Sequence, residues 1–495
     1  MSSDFDPIWT SLLTWLDQFD NSVVEQNTEL VHNSAGRGLV ARTDLPPSSL
    51  LISIPNAALL NLQTLIPLYP SSFTQGQLNA TQLLSLHLAL QFRKHLFSPA
   101  PKPTKGKGKE KDNRDKYWPF IASLPRSFPS HPLTWWILSK SHSQLKSTYG
   151  IDEEDLSVKE KEEIDAKRRK RYGKLLELMG RGARERVDKI EERFRKDWKE
   201  VQKVWNENKL GEDERFGFFD FLLGWLNVNT RCIYFDLPSS VSTKKENNLT
   251  LAPVIDMINH RPSLQTCPHP TTTALTFSTP SRSSPDAKVK KGEELAFSYG
   301  GHDDPFLLSE YGFIIGNGDE GISKGNEYNS LNVDRYVEGL FENQGEEGKL
   351  KIGVLKDADY WGDMTFQSHP PSPSWRVLIA LRLLHLRLPS HSSLGLSSES
   401  LAPFYDLLSG SIDQISHLNE KKVQASLKAI GKNLWVECEE GVKRCDEIEL
   451  EWIKEGEKSL GDEEKREVKE MREWLKMIRE IWKGEEEIAK GISEE

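Results

Sequence analysis

The chain has 495 residues, of which 37% are hydrophobic and 28% charged, and carries a formal net charge of −10. At roughly 100–200 residues per domain, that length predicts two or three globular units rather than one core. The acidic balance argues against a broad nucleic-acid footprint, and no apolar run nears the roughly 18 residues of a spanning helix, so no membrane span is expected.

The opening MSSDFDPIWT lacks the basic start and apolar middle of a secretory leader. Residues 5–20 place Ile8, Leu12, Trp15 and Phe19 at helical spacing, so a short amphipathic helix is predicted there, within an N-terminal segment 1–24. From Val31 to about Leu60 the character turns to β: LVART and LLISIP are rich in branched residues, and Pro46, Pro47 and Pro55 exclude a continuing helix. Gln82 to Phe97 is helical again. The tract 98–115, SPAPKPTKGKGKEKDNRDK in its setting, cannot bury a core and is read as a disordered surface loop; a basic RNA-binding arm is the other reading. Residues 151–215 are charged and helical, with Val187, Ile190, Phe194, Trp198, Val201 and Trp205 forming one buried stripe. FGFFDFLLGWLNV predicts a buried helix over 216–228. Short β-like runs follow from 249 to 300, broken by a Pro/Ser/Thr loop at 278–286. Beyond about Arg335 the chain reads as all helical, with a core helix in 374–388 and an amphipathic stripe of Val468, Met471, Leu475, Ile478 and Trp482. The fold class expected is therefore α+β: an irregular β-rich domain over 25–315 split by a helical insert at about 80–228, then an all-helical domain over 335–495. Four cysteines, Cys232, Cys267, Cys438 and Cys445, are too few for a disulfide framework and contain no CxxC pair, so no metal site is expected.

Four segments can carry chemistry. Ala35-Gly36-Arg37-Gly38-Leu39-Val40-Ala41 contains a formal GxGxxA match, yet a strand and two prolines follow it. A dinucleotide fingerprint needs a helix there, so the glycines make either a turn or a close backbone approach to a ligand. Asn229-Thr230-Arg231 ends the apolar helix, and its arginine either caps the helix or clamps a carboxylate. Pro253 to His260 reads as an apolar strand delivering Asp256, Met257, Ile258, Asn259 and His260; an asparagine amide suits an adenine edge, and a hydrogen-bonded core histidine is the plainer alternative. Lys291 to Gly300 reads as a turn and a strand ending at Tyr299-Gly300, with Tyr311-Gly312-Phe313 close behind. A phenol where a strand stops can reach into a cleft, although such pairs also end strands for packing alone.

In order and content these segments resemble the SET-domain methyltransferases, and more narrowly the split-SET group of the Rubisco large-subunit lysine methyltransferase and the fungal ribosomal-protein lysine methyltransferases. Tyr117-Trp118-Pro119-Phe120 with Leu124-Pro125 is similar to a further stretch of that group. The resemblance covers most of residues 25–480 and implies a protein-lysine N-methyltransferase using S-adenosyl-L-methionine. It implies that Ala35, Gly36, Arg37 and Gly38 contact the cofactor through their backbone, that Arg231 helps bind it, and that Asp256 through His260 hold its adenine end. It further implies that Tyr299 is the active-site tyrosine and that Tyr311, Gly312 and Phe313 close the wall around cofactor and lysine. Two departures stand out: Asp304 replaces a common asparagine, and residues 316–326 resemble an insertion before Asn326.

Tyr299 is expected to align the amine and stabilise the reacting methyl rather than act as a strong base, since a phenol ordinarily titrates near 10. The acidic residues Asp303 and Asp304 are expected to steer a basic peptide. A protein substrate follows, with a ribosomal protein the choice by analogy, and the chain is expected to act as a monomer in the cytoplasm or nucleus without nucleic acid or membrane. Histone or histidine methylation, and a catalytically silent interaction module, are the competing expectations.

Overall fold

In the computed structural model the described residues are 5–24, 27–33, 36–74, 77–96, 113–151, 166–208, 215–262, 268–281, 288–316, 325–387, 398–456 and 462–494. They fall into two units. The first comprises Met1–Gly173, Arg186–Gly301 and Ser309–Gly312; the second comprises Lys174–Glu185, His302–Leu308 and Phe313–Glu495.

In the first unit the branched N-terminal segments form strands β1 (Thr28–Asn33), β2 (Gly36–Ala41) and β3 (Leu50–Pro55). Further along come β4 (Ile233–Tyr234), β5 (Leu249–Thr250), β6 (Asn259–His260), β7 (His269–Pro270), β8 (Ala274–Ser278) and β9 (Glu294–Phe297). They assemble as three small sheets ordered β1-β2-β9-β6, β3-β8-β7 and β4-β5. The only parallel pairing described is β6 with β9, which sets Asn259 against Ala296 and His260 against Phe297. That pairing puts chain segments nearly forty residues apart side by side, and it positions the site.

Helices pack against these sheets. The predicted N-terminal helix is Phe5–Leu16, and its Leu12, Leu13, Trp15 and Leu16 join the core of this unit. Ala80–Leu96 and the buried Phe218–Arg231 lie close together at Gly224, where a Cβ would sit 2.5 Å from the Ser85 carbonyl oxygen. The expected stripe appears on Arg181–Asn208, with Val187, Ile190, Phe194, Trp198 and Val201 buried. Of the loop predicted at 98–115, only 113–115 fall among the described residues, and they open a short 3-10 helix, Asn113–Tyr117, instead of continuing as loop. The remainder of that loop, residues 152–165 of the charged stretch, and 282–286 of the Pro/Ser/Thr loop lie outside the described residues.

The second unit is mainly helical, as expected, with one addition. Three short strands, β10 (Ser330–Asn332), β11 (Thr365–Ser368) and β12 (Pro371–Pro373), form an antiparallel sheet in the segment read as all helical. The core helix is Trp375–Leu384. The last two helices, His417–Gly456 and Asp462–Glu494, run antiparallel, since Gly441 faces Trp482 while Gly431 faces Ala489. The predicted stripe from Val468 to Trp482 is buried.

Candidate active site

The segment read as an apolar strand is not one. Branched residues favour strands, yet Val254 adopts φ 68 and ψ −45, and the Ile255 N–H donates to the Pro253 carbonyl at 2.7 Å. This is a γ-turn at a β-branched residue, a conformation costing about 1–3 kcal/mol that persists only where surrounding packing imposes it. A 3-10 turn, Ile255–Met257, follows, and only Asn259–His260 pair as strand. The turn buries the Asp256 carboxylate and points the Asp256 carbonyl toward the end of the apolar helix.

Arg231, the last residue of that helix, meets it there. Its Nη1 donates to the Asp256 carbonyl at 2.6 Å and to Oδ2 at 3.4 Å. The arginine does clamp a carboxylate, but one of the protein's own. Two buried atoms stay without a hydrogen-bond partner, Arg231 Nε and Asp256 Oδ1. Burial raises the Asp256 carboxyl above its ordinary range, opposed by the positive charges of Arg231 and Arg37.

Asn259 and His260 brace the adjoining strands. The Asn259 amide nitrogen donates to Glu294 Oε1 at 2.6 Å and to the Arg37 carbonyl at 3.2 Å, tying β6 to β9 and β2. At Gly38 a Cβ would lie 2.5 Å from Glu294 Oε1 and 3.1 Å from Asn259 Nδ2, so a side chain there would have to displace the Glu294 carboxylate. Gly36 has φ 119, a backbone that favours glycine. Arg37 turns its guanidinium away from β2, donating from Nη1 to the Ser123 carbonyl at 2.7 Å. Ala35 lies outside the described residues.

Tyr299 connects these parts. Its N–H donates to His260 Nδ1 at 3.0 Å, its hydroxyl donates to the Ile258 carbonyl at 2.8 Å, and its ring stacks on His260 with centroids 5.0 Å apart. The Tyr311 ring lies 5.4 Å from the Tyr299 ring. Burial pushes the Tyr299 phenol well above its ordinary value, and burial with nearby Glu310 pushes Tyr311 up to about 12. Both phenols are therefore neutral across the physiological range. A hydroxyl whose proton is committed to a carbonyl still offers oxygen lone pairs to a neighbour.

A cavity of about 490 Å³ opens against these groups, with Arg231, Asp256, Ile258, Tyr299 and Tyr311 on its wall. Met257 is buried in the 3-10 turn, and Gly312, at φ 81, packs with its Cα hydrogens toward the His131 backbone. Phe313 falls in the second unit. The structure thus links Arg37 to Asn259 and His260 to Tyr299, and puts Tyr299 on the wall of the cavity.

Sequence reasoning missed the anchor of Tyr311. Its neighbour Glu310 receives both oxygens' bonds from Arg193 Nη2, at 2.7 and 2.6 Å. Asn229 Nδ2 donates to the Glu310 carbonyl and to Oε2, at 3.1 and 3.0 Å. His131 Nδ1 accepts from the Leu133 N–H, so its Nε2 carries the proton and donates to the Glu310 carbonyl at 3.1 Å. The three partners stand 81 to 179 residues from Glu310, a pattern no local spacing encodes; Asn229, beside Arg231, was the one visible signal.

The expected steering pair also changes. Asp304 is only 1% exposed. Its Oδ1 accepts from the Ile315 N–H and Asn326 Nδ2, and its Oδ2 from the Gly316 N–H and Asn329 Nδ2. Asp303 Oδ1 accepts from the Phe306 N–H at the start of the helix Asp304–Tyr311. Asp304 is a structural cross-link within the second unit and cannot steer a peptide.

A cofactor cradle fits what is here on one count, the unpartnered buried polar atoms Arg231 Nε and Asp256 Oδ1 of two residues on the cavity wall.

The small sheets, with the parallel β6–β9 pairing and the tyrosine beside it, have the fold of solved SET domains. The SET domain of the large-subunit methyltransferase LSMT, solved with lysine and AdoHcy, aligns over 99% of this chain and 91% of its own with a TM-score of 0.58 at 15% identity. Rubisco LSMT bound to sinefungin and monomethyllysine aligns over the same shares with a TM-score of 0.55 at 15% identity. In sequence, ribosomal lysine N-methyltransferase 2 of Saccharomyces cerevisiae is 24% identical over 428 residues, covering 75% of this chain and 81% of the relative. Ribosomal lysine N-methyltransferase set11 of Schizosaccharomyces pombe is 32% identical over 220 residues, 44% of this chain and 50% of the relative. The human SET domain-containing protein 4 is 25% identical over 430 residues, 81% and 82% of the two chains. No protein-family model matches the chain. The relatives and the structural neighbours are those of the group that the motifs resemble, the ribosomal-lysine and Rubisco LSMT methyltransferases.

Proposed function

We propose that the chain is an S-adenosyl-L-methionine-dependent protein-lysine N-methyltransferase whose substrate is a ribosomal protein. The observation that carries this reading is Tyr299: a neutral phenol, its proton held by the Ile258 carbonyl at 2.8 Å, its ring stacked on His260 and set on the wall of a cavity. When bound, the cofactor supplies an electrophilic methyl group on a sulfonium. Gly36, Arg37 and Gly38, with Asn259, His260, Arg231 and Asp256, are the residues that would hold it.

The residues around the cavity do the rest. An acceptor lysine must lose a proton, which costs roughly 4–5 kcal/mol at pH 7 from a pKa near 10.4. Burial between Tyr299 and Tyr311 disfavours the ammonium, and the Arg231 guanidinium on the same wall disfavours it further. The Tyr299 oxygen is placed to align the neutral amine through its lone pairs; its raised pKa makes it a poor base. The ring of Tyr311, held by the Glu310 anchor, restricts the amine's approach.

The relatives' names support a ribosomal acceptor. Monomeric action on a protein, in the cytoplasm or nucleus, completes the proposal. Incubation with methyl-labelled cofactor and stripped ribosomal proteins, followed by hydrolysis, is expected to place label on methyllysine of one protein. Label on methylhistidine, or none at all, contradicts it.

A further inference from the structure

With Asp304 buried, charge recognition must be sought elsewhere, and besides the buried Asp256 a second, exposed carboxylate lines the same cavity. Asp236 lies on the cavity wall beyond Arg231, beside Tyr234. Tyr234 is 58% exposed, unusual for a large aromatic ring. Neither side chain is loose. The Tyr234 hydroxyl donates to Asp236 Oδ1 at 2.7 Å, and Asn248 Nδ2 donates to that same oxygen at 3.0 Å and to the Tyr234 hydroxyl at 3.1 Å. Asn248 is itself buried and fixed, for its Oδ1 accepts from the Leu237 N–H and its carbonyl from the Phe235 N–H. The β4–β5 pairing, Tyr234 against Leu249, holds the ring's backbone.

The arrangement presents an exposed aromatic face beside a carboxylate that no lysine or arginine pairs with among the described residues. An aromatic ring and an adjacent anion together favour a cation, through its charge and through the ring quadrupole. The two bonds to Oδ1 both come from neutral groups, and Oδ2 remains for a partner. Sharing a wall with Tyr299, the pair sits where residues flanking an acceptor lysine would pass.

We propose that Tyr234 and Asp236, braced by Asn248, form a specificity element that selects a lysine flanked by an arginine or a second lysine. This inference rests on the protein-lysine reading and adds the charge of the flanking residue to it.

The test uses the full chain, labelled cofactor and lysine peptides that differ only in the flanking residue: arginine, glutamine or glutamate. The wild type is expected to show a KM at least tenfold lower for the arginine peptide than for the glutamate one at low salt, the gap narrowing as salt rises. Asp236→Asn should bring the arginine and glutamine peptides within about twofold of each other, and Asp236→Lys should invert the order. Transfer with no preference for charge, or a preference kept intact in Asp236→Asn, overturns the specificity element and leaves lysine methylation standing. Transfer to none of the peptides by a chain that binds the cofactor overturns the lysine reading, and this inference with it.

Discussion

Asp256 and Asp304 are both buried aspartates, 9% and 1% exposed, yet their surroundings are opposite. In the second unit, Asp304 accepts four N–H bonds, two on each oxygen, and nothing is left to bind. In the first unit, Asp256 has one arginine at 3.4 Å, an orphaned Oδ1, a strained γ-turn just before it and a cavity beside it. A saturated buried carboxylate stabilises a fold; an undersaturated one at a cavity wall lowers stability and is kept for what it binds.

The comparison can be broken at either member. Asp304→Asn sets an amide NH2 against N–H donors and leaves some of them unpaired. Denaturant unfolding of this variant is expected to lose about 3–5 kcal/mol; stability equal to wild type would show that the four bonds contribute little.

His131 tests the saturated case by pH. Both ring nitrogens are used in the neutral form, and burial lowers its pKa from 6.5 to about 4. The unfolded chain takes up the proton near 6.5 while the folded chain resists until about 4. Its contribution is therefore complete above 6.5 and is lost as pH falls toward 4, amounting to about 3 kcal/mol. Melting temperatures of His131→Gln should depend less on pH over that window than those of wild type. Parallel curves would contradict the assignment.

Asp256→Asn sharpens the other side, with the smallest energetic effect. Its folded-state pKa is raised, so the charged form costs stability once pH exceeds the ordinary carboxyl range, and the amide removes that cost. Stability within about 0.5 kcal/mol of wild type, or above it, is expected together with a roughly tenfold loss of methyl transfer. A large loss of stability with intact turnover would make Asp256 another Asp304.

What the sequence revealed tracks how local the information is. Helix stripes such as Val187 to Trp198 and the apolar run ending at Arg231 depend on spacing of three or four residues, and they were legible. Tyr299 was singled out as a phenol where a strand stops, although the strand, Glu294–Phe297, ends two residues before it. Asp304 was misread because its partners stand 11 to 25 residues away, at Ile315, Gly316, Asn326 and Asn329. Residues 253–258 were misread because branched side chains favour a strand, while long-range packing imposes the turn at Val254. The Glu310 anchor was invisible for the same reason, since Arg193 and His131 reach it from 117 and 179 residues away. Strands β10 to β12 are three or four residues each and rich in serine and proline, too short for alternation to register.

In the proposed reaction Tyr299 acts as a neutral aligning group and not as an anchor for the cofactor. Measuring cofactor affinity by calorimetry and single-turnover methyl transfer on Tyr299→Phe separates the two roles. The account predicts a roughly 100-fold slower transfer with cofactor affinity within about threefold of wild type. Transfer at the wild-type rate, or loss of cofactor binding with the transfer rate of the bound enzyme unchanged, would contradict it.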